Sequence, residues 1–269
     1  MKCRKTEKKQ ERYEYGGTYK PEPMIPSIIT LLKRKGLIKS LNKLIKSFYY
    51  IYISGYIVKK PFAFNNRKYY YLYHRYGYTL DSERAVEVPV VIKEIKANAG
   101  KHILEVGNVL SHYYNAHWDI IDKFEKGKGV INMDIIDFKP SSKYDLIVSI
   151  STLEHIGYDD PVKEPMKILK AIENLKENCL KSQGRIIATL PLGYNKVMDS
   201  LLFGSKLGFD KIYFMKRVSK DNIWEQITEI EAKSIKYDSP FRHANGIAVG
   251  VLSKTGKDWY SKIFNKKYQ

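Results

Sequence analysis

Cysteine is almost missing from this chain: Cys3 and Cys179 are its only two in 269 residues. Two cysteines build neither a disulfide framework nor a thiolate metal cluster, so two free thiols in a reducing compartment are expected. Long apolar runs are missing as well. The most membrane-like uncharged stretch, Ser47–Val58, has twelve residues, short of the ~20 that a spanning helix needs. Met1–Lys20 is charged and lacks an apolar centre, so no cleavable signal peptide is expected and the default address is cytoplasmic. Acidic residues are scarce, with 29 Asp and Glu against 47 Lys and Arg, a formal charge of +18. What is present is a hydrophobic fraction of 43%, enough to exclude a disordered chain. The length suits one large α/β domain plus an extension.

The charge is uneven. Residues 1–60 hold fifteen Lys or Arg against four Glu. Such a field favours an anionic partner, whether nucleic acid, a membrane surface or a phosphate-bearing substrate. A lysine-rich solvated surface explains it equally well. Met1–Pro26, with Gly16, Gly17, Pro21, Pro23 and Pro26, reads as a polar arm. Leu37, Ile38, Leu41, Leu44, Ile45 and Phe48 then recur at helical spacing between lysines, predicting a basic amphipathic helix over 37–52. It can lie peripherally on an anionic membrane or pack on its own domain. Phe62–Tyr78 interleaves six tyrosines with Arg67, Lys68, His74 and Arg75. These rings either stack on bases and sugars or pack a short strand. Asp81-Ser82-Glu83-Arg84 reads as the capped start of a helix over 85–97, with Pro89 inside it.

From Lys101 onward apolar strands alternate with helices. Strand candidates are Ile103–Val106, Asp119–Asp122, Val130–Ile135, Asp145–Ile150, Arg185–Leu190, Lys211–Arg217 and Gly246–Leu252, and the clearest helix is Glu164–Cys179. Buried strands alternating with helices imply a mostly parallel sheet covered on both faces. Ligands of such sheets bind at the carboxyl ends of the strands. The turn after Ile103–Val106 reads Gly107-Asn108-Val109-Leu110. It lacks the Gly-x-Gly-x-x-Gly of NAD and FAD sites, and Asn108 stands where a second turn-forming residue would be, since Asn tolerates left-handed angles.

His102–Gly107 (His-Ile-Leu-Glu-Val-Gly) and Tyr144–Gly157, which ends in Ser-Thr-Leu-Glu-His-Ile-Gly, resemble the first and fourth strands of class I S-adenosylmethionine-dependent methyltransferases. The likeness runs from about Asp81 to Lys254. It implies a Rossmann-like, mostly parallel seven-stranded sheet with helices on both faces, in a domain of residues 81–269. Residues 1–80 would form a basic, partly helical, Tyr-rich extension. It also implies S-adenosyl-L-methionine as cofactor, with Glu105, Gly107 and Asn108 at its methionine end, Asp122 on the ribose hydroxyls, Asp134 by the adenine, and Ser149 and Ser151 nearby. For Asp122 the other reading is a helix cap; for Asp134 the competitor is Asp137.

Glu154 and His155 are the catalytic candidates, His155 either as a base that takes a hydroxyl proton or as a structural residue. Leu190–Asn195 resembles the loop bordering the acceptor pocket, which makes Tyr194 and Asn195, with Arg217 further on, substrate-binding candidates. Asp221–Glu225 adds polar and aromatic groups suited to a sugar or phosphate. The base-amine loop Asp/Asn-Pro-Pro-aromatic, a nucleophilic loop cysteine and the carboxylates of a Mg²⁺ site are all missing from the corresponding positions, so no metal is expected. The particular wording, Glu83-Arg84-x-x-Glu87 with Leu-Glu-Val-Gly-Asn-Val-Leu-Ser-His-Tyr, resembles a subgroup associated with glycan biosynthesis. A hydroxyl of a sugar or glycan, lipid-linked in one version, is then the expected acceptor. The alternatives are an RNA methyltransferase gripping RNA through the basic segment, and a Rossmann-like binding protein without catalysis.

Overall fold

The computed structural model describes residues 60–74 and 76–255, with Ile45 in addition. The polar arm, all but Ile45 of the amphipathic helix over 37–52, Cys3 and Arg75 lie outside the described residues.

The domain is built on an eight-stranded sheet. Its strands are β3 (Ile103–Val106), β4 (Asp119–Ile121), β5 (Val130–Ile131), β6 (Tyr144–Ile150), β7 (Leu180–Pro191), β8 (Lys211–Arg217), β9 (Trp224–Ile227) and β10 (Gly246–Ser253), in the order β5-β4-β3-β6-β7-β10-β8-β9. The first five in that order pair in parallel; β10, β8 and β9 close the edge antiparallel. A separate antiparallel hairpin, β1 (Pro61–Phe64) and β2 (Arg67–Tyr70), turns through Asn65 and Asn66. Both asparagines have positive φ, the combination a tight two-residue hairpin demands.

Continuous apolar sequence makes the central strands, because they are buried on both faces. Leu146, Val148 and Ile150 point to one side, with Val86, Ile95 and the hairpin's Phe62 and Tyr69. Ile147, Ile186 and Ala188 point to the other, with Ile168, Leu175 and Met198. Helix α1 (Arg84–Ala97) covers the first face. Helices α2 (Lys167–Asn174) and α3 (Lys196–Phe203) cover the second, and a one-turn α4 (Glu229–Ala232) follows β9. Each fully buried aliphatic side chain contributes ~1.5–3 kcal/mol. A buried ion pair, Arg185 Nη2 to Glu94 Oε2 at 2.8 Å, ties α1 to β7.

Several expectations are corrected. The main sheet has eight strands rather than seven. The extra one, β9, begins at the end of the polar segment Asp221–Glu225 assigned to sugar or phosphate; it pairs with β8, with Trp224 buried and Glu225 and Gln226 exposed. The strand expected over 130–135 stops at Ile131. The helix over 164–179 is α2 followed by a π-turn at Leu175–Cys179. Helix α1 has no side-chain cap: Ser82 Oγ donates instead to the Gly77 carbonyl. Pro89 has no N–H for the Ala85 carbonyl, and the backbone N–H of Leu72 takes that acceptor at 3.0 Å. The tyrosine-rich segment therefore packs into the α1 core, with Tyr69 and Tyr71 buried.

Candidate functional site

Strands β4 and β5 lie to one side of β3, and β6 and β7 to the other. The chain thus reverses its direction of sheet growth between β3 and β6, where open α/β sheets bind ligands. A cavity of about 300 Å³ opens there, beyond the carboxyl ends of β3, β4 and β6. Its apolar wall is Val106, Ile121, Phe124, Met133, Ile135 and Ile156; its polar rim is Asp122, Lys123, Glu125, Asp134, Thr152, His155 and Asp160.

Two backbone features shape the opening. Gly107 has φ +89°, and a Cβ there would lie 2.1 Å from Thr152 Oγ1. Only glycine lets the β3 turn touch the β6 turn so closely. Ser151 also sits at positive φ, +38°, a strained geometry for a non-glycine residue. It is held by Oγ donating to Glu87 Oε1 at 2.6 Å and by its N–H donating to the Thr189 carbonyl at 3.0 Å. Thr152 and His155, at either end of the short turn after β6, thereby come to line the cavity, while Leu153 and Glu154 between them are buried.

Asp122 ends β4 and lines the cavity. Its Oδ1 accepts from the N–H groups of Phe124 and Glu125 at 2.8 and 2.7 Å, and its Oδ2 from Asn108 N–H at 3.0 Å. A carboxylate accepts about four hydrogen bonds, so Asp122 both caps its loop and keeps one acceptor direction. Asp134 shares Lys123 and Lys167 with Asp160, all four contacts lying between 2.6 and 3.0 Å. Burial raises both carboxyls, but the ammonium hydrogen bonds outweigh it and hold them below the usual range. Asp137 does not line the cavity.

The other expected residues separate into two groups. Glu105 is fully buried and lies outside the cavity lining, its oxygens accepting from Val109 N–H, Leu110 N–H and Trp118 Nε1. Burial pushes its carboxyl up to about 7 in spite of those donors. It shapes the β3 turn from beneath. Asn108 is not the left-handed residue; Gly107 is. The Asn108 amide instead donates to Glu125 Oε1 at 2.8 Å and accepts from Ser111 Oγ. Ser149 Oγ donates to the Val106 carbonyl, linking β6 to β3. Asn195 is buried, caps α3 through Val197 and Met198 N–H, and donates to the Glu154 carbonyl at 2.8 Å.

Arg217, expected to meet substrate, is instead a buried clamp. All five of its N–H donors are engaged: Nε with Ser219 O, Nη1 with Asp81 O and Arg242 O, Nη2 with Asp81 Oδ1 and Lys220 O.

His155 lines the cavity and is about half exposed. Its Nδ1 pairs with Asp159, and its Nε2 lies 3.5 Å from Glu154 Oε1. Its ring meets Tyr194 edge-on at 5.0 Å, and Tyr194 in turn meets Tyr158 and Tyr237. Gly193 (φ +79°) makes this possible, since a Cβ there would lie 2.6 Å from Tyr237 N. Sequence reasoning gave no role to Tyr158 or Tyr237, nor to Lys123, Phe124, Met133 and Asp160 in the cavity. Only the position of Lys123 and Phe124 just after Asp122 was a signal. Among the described residues no group of three His, Cys, Asp or Glu side chains could hold a metal ion, and no helix is long and apolar enough to cross a membrane.

No protein-family model matches the chain, and no curated protein does. Among solved structures, the chain is similar to the N-methyltransferase NodS from Bradyrhizobium japonicum WM9 bound to S-adenosyl-L-homocysteine. The identity is 11%, the TM-score 0.39, and the match covers 60% of this chain and 82% of that one. A TehB-like SAM-dependent methyltransferase from Corynebacterium glutamicum gives 17% and 0.36, over 60% and 85% of the two chains. The glycopeptide N-methyltransferase MtfA, also bound to S-adenosyl-L-homocysteine, gives 10% and 0.33, over 60% and 87%. Overlaps this loose carry nothing about the present chain, whose functional reading rests on its own residues.

Proposed function

We propose that the chain is an S-adenosylmethionine-dependent methyltransferase that transfers a methyl group, without a metal, to a hydroxyl of a sugar or glycan. The observation that carries this is the cavity at the switch point of the sheet, bounded by Gly107 and Asp122, together with the sequence resemblance of both flanking strands. The lining suits the cofactor. Phe124, Met133 and Ile135 offer apolar faces for a flat base, Asp122 keeps an acceptor for a ribose hydroxyl, and Asp134 stands by with an oxygen that only Ile136 N–H engages. When bound, the cofactor supplies an activated sulfonium methyl.

The chain's own residues then align the acceptor and remove one proton. His155 is the group at the rim of the cavity that can take it. Asp159 on Nδ1 fixes the ring and leaves Nε2 turned towards Glu154. The basic residues of positions 1–60 suit an acceptor held on an anionic carrier, such as a lipid-linked or phosphate-bearing glycan.

The test is transfer from methyl-labelled S-adenosylmethionine to a panel of sugars and extracted glycans. Label is expected in a base-stable ether, with transfer reduced at least tenfold by His155→Ala. Label found only on amino groups or on RNA would overturn the hydroxyl assignment.

A further inference from the structure

Next to the cavity, three carboxylates gather around one guanidinium. Glu83, just before α1, Glu87, in its first turn, and Glu154, in the turn after β6, are all buried and all act electrostatically on one another and on Arg84. Glu87 is satisfied: Arg84 Nη1 lies 3.1 Å from its Oε2, and Ser151 Oγ donates to its Oε1. The same Nη1 also donates to the Ile150 carbonyl at 3.0 Å. Glu154 is left over at both oxygens and Glu83 at one. Neither oxygen of Glu154, 1% exposed, nor Oε2 of Glu83, 9% exposed, has a hydrogen-bond partner. For Glu154 only its own backbone N–H and His155 Nε2 at 3.5 Å give weak support. A fold does not bury carboxylates unpaired without cost, so the arrangement points to a cation that arrives from outside.

The neighbourhood suits that cation. Tyr237 and Tyr194 feel the Glu154 charge, and Tyr237 also that of Glu83. Their rings meet edge-on at 5.2 Å and remain partly open to solvent. Tyrosine faces attract ammonium groups. His155 joins the cluster to the cavity, since it lines the one and packs on Tyr194 of the other.

We infer that the acceptor carries a protonated amino group, seated by Glu154 and Glu83 beside Tyr194 and Tyr237, as in an amino sugar. This rests on the methyltransferase reading and narrows its substrate class. Burial, reinforced by Glu87, pushes Glu154 well above the usual carboxylate range. The groups facing it are Glu83 just before α1, Arg84 and Glu87 in α1, His155 beside it, and Tyr194 and Tyr237. An arriving ammonium favours the ionised carboxylate, so its binding lowers the affinity of Glu154 for a proton.

The experiment is calorimetric titration of the full chain with three matched pairs: glucosamine against N-acetylglucosamine, putrescine against 1,4-butanediol, and ethanolamine against ethylene glycol. At least one amine is expected to bind tenfold or more tightly than its neutral counterpart, with proton release that scales with buffer ionisation enthalpy. Glu154→Gln should abolish the preference while unfolding at or above the wild-type temperature; Tyr237→Leu should weaken it. No amine preference in any pair, or a preference that survives Glu154→Gln, overturns the inference. S-Adenosylhomocysteine is titrated separately. Its failure to bind would remove the methyltransferase reading while leaving the amine result legible on its own.

Discussion

Glu105 shows how one residue can look like a ligand contact and act as a scaffold. Its carboxyl holds the β3 turn through two backbone N–H groups and the Trp118 indole, from a fully buried position. Burial raises it from the ordinary 4.5 to about 7. A raised carboxyl stabilises the fold fully below its unfolded value and loses that contribution as pH rises through the folded one. The shift corresponds to about 3 kcal/mol, lost between roughly pH 4.5 and 7. Glu105→Gln should flatten the fall in unfolding free energy over that window, whatever its offset at pH 4; an unchanged slope would refute the burial account. Gly107 gives a second residue-scale expectation. Gly107→Ala places a methyl 2.1 Å from Thr152 Oγ1 at φ +89°. It should cost at least the ~1–2 kcal/mol of a left-handed L-residue, read as a lowered urea midpoint. Wild-type stability in that variant would mean that the two turns are not in contact.

At the scale of elements, the central strands were legible because both their faces are buried, so their apolar runs carry the signal unaided. Ile103–Val106, buried at every position, coincides with expectation end to end; Lys211–Arg217 does so too, although it lies next to the sheet edge and is only partly buried. Strand β9 was not legible: Trp224-Glu225-Gln226-Ile227 has the composition of a loop, and only pairing with β8 makes it a strand. Arg217 was misread for a related reason. A cation at a strand end reads as solvent-facing, whereas its burial depends on Asp81, 136 positions earlier. The Glu83–Glu87 pair was visible in the sequence as wording only; that it faces Glu154 depends on how α1 packs against β6. A single expectation separates clamp from substrate contact. Arg217→Lys removes the planar fork and should cost on the order of 1–3 kcal/mol, because several part-buried carbonyls lose their donor. S-Adenosylhomocysteine affinity should stay within about twofold at a temperature where the variant is folded. Unchanged stability with weakened ligand binding would instead return Arg217 to the site.

At the scale of the whole molecule, two apolar layers fix the sheet and leave its chemistry to one end. The carboxyl ends of β3, β4 and β6 hold the cavity, and the turn after β6 connects it through His155 to the tyrosines and buried carboxylates. The Lys123, Lys167, Asp134 and Asp160 quartet is formally neutral, so the cavity does not share the excess positive charge of residues 1–60. The central claim is that this cavity holds S-adenosylmethionine. The most direct measurement is calorimetric titration of the full chain with S-adenosylhomocysteine, in parallel with Asp122→Asn and with Asp137→Asn, whose side chain lies outside the lining. The expected result is one-to-one binding by the wild type, weakened at least tenfold by Asp122→Asn and unaltered by Asp137→Asn. No heat of binding in the wild type, or equal losses in the two variants, would contradict it.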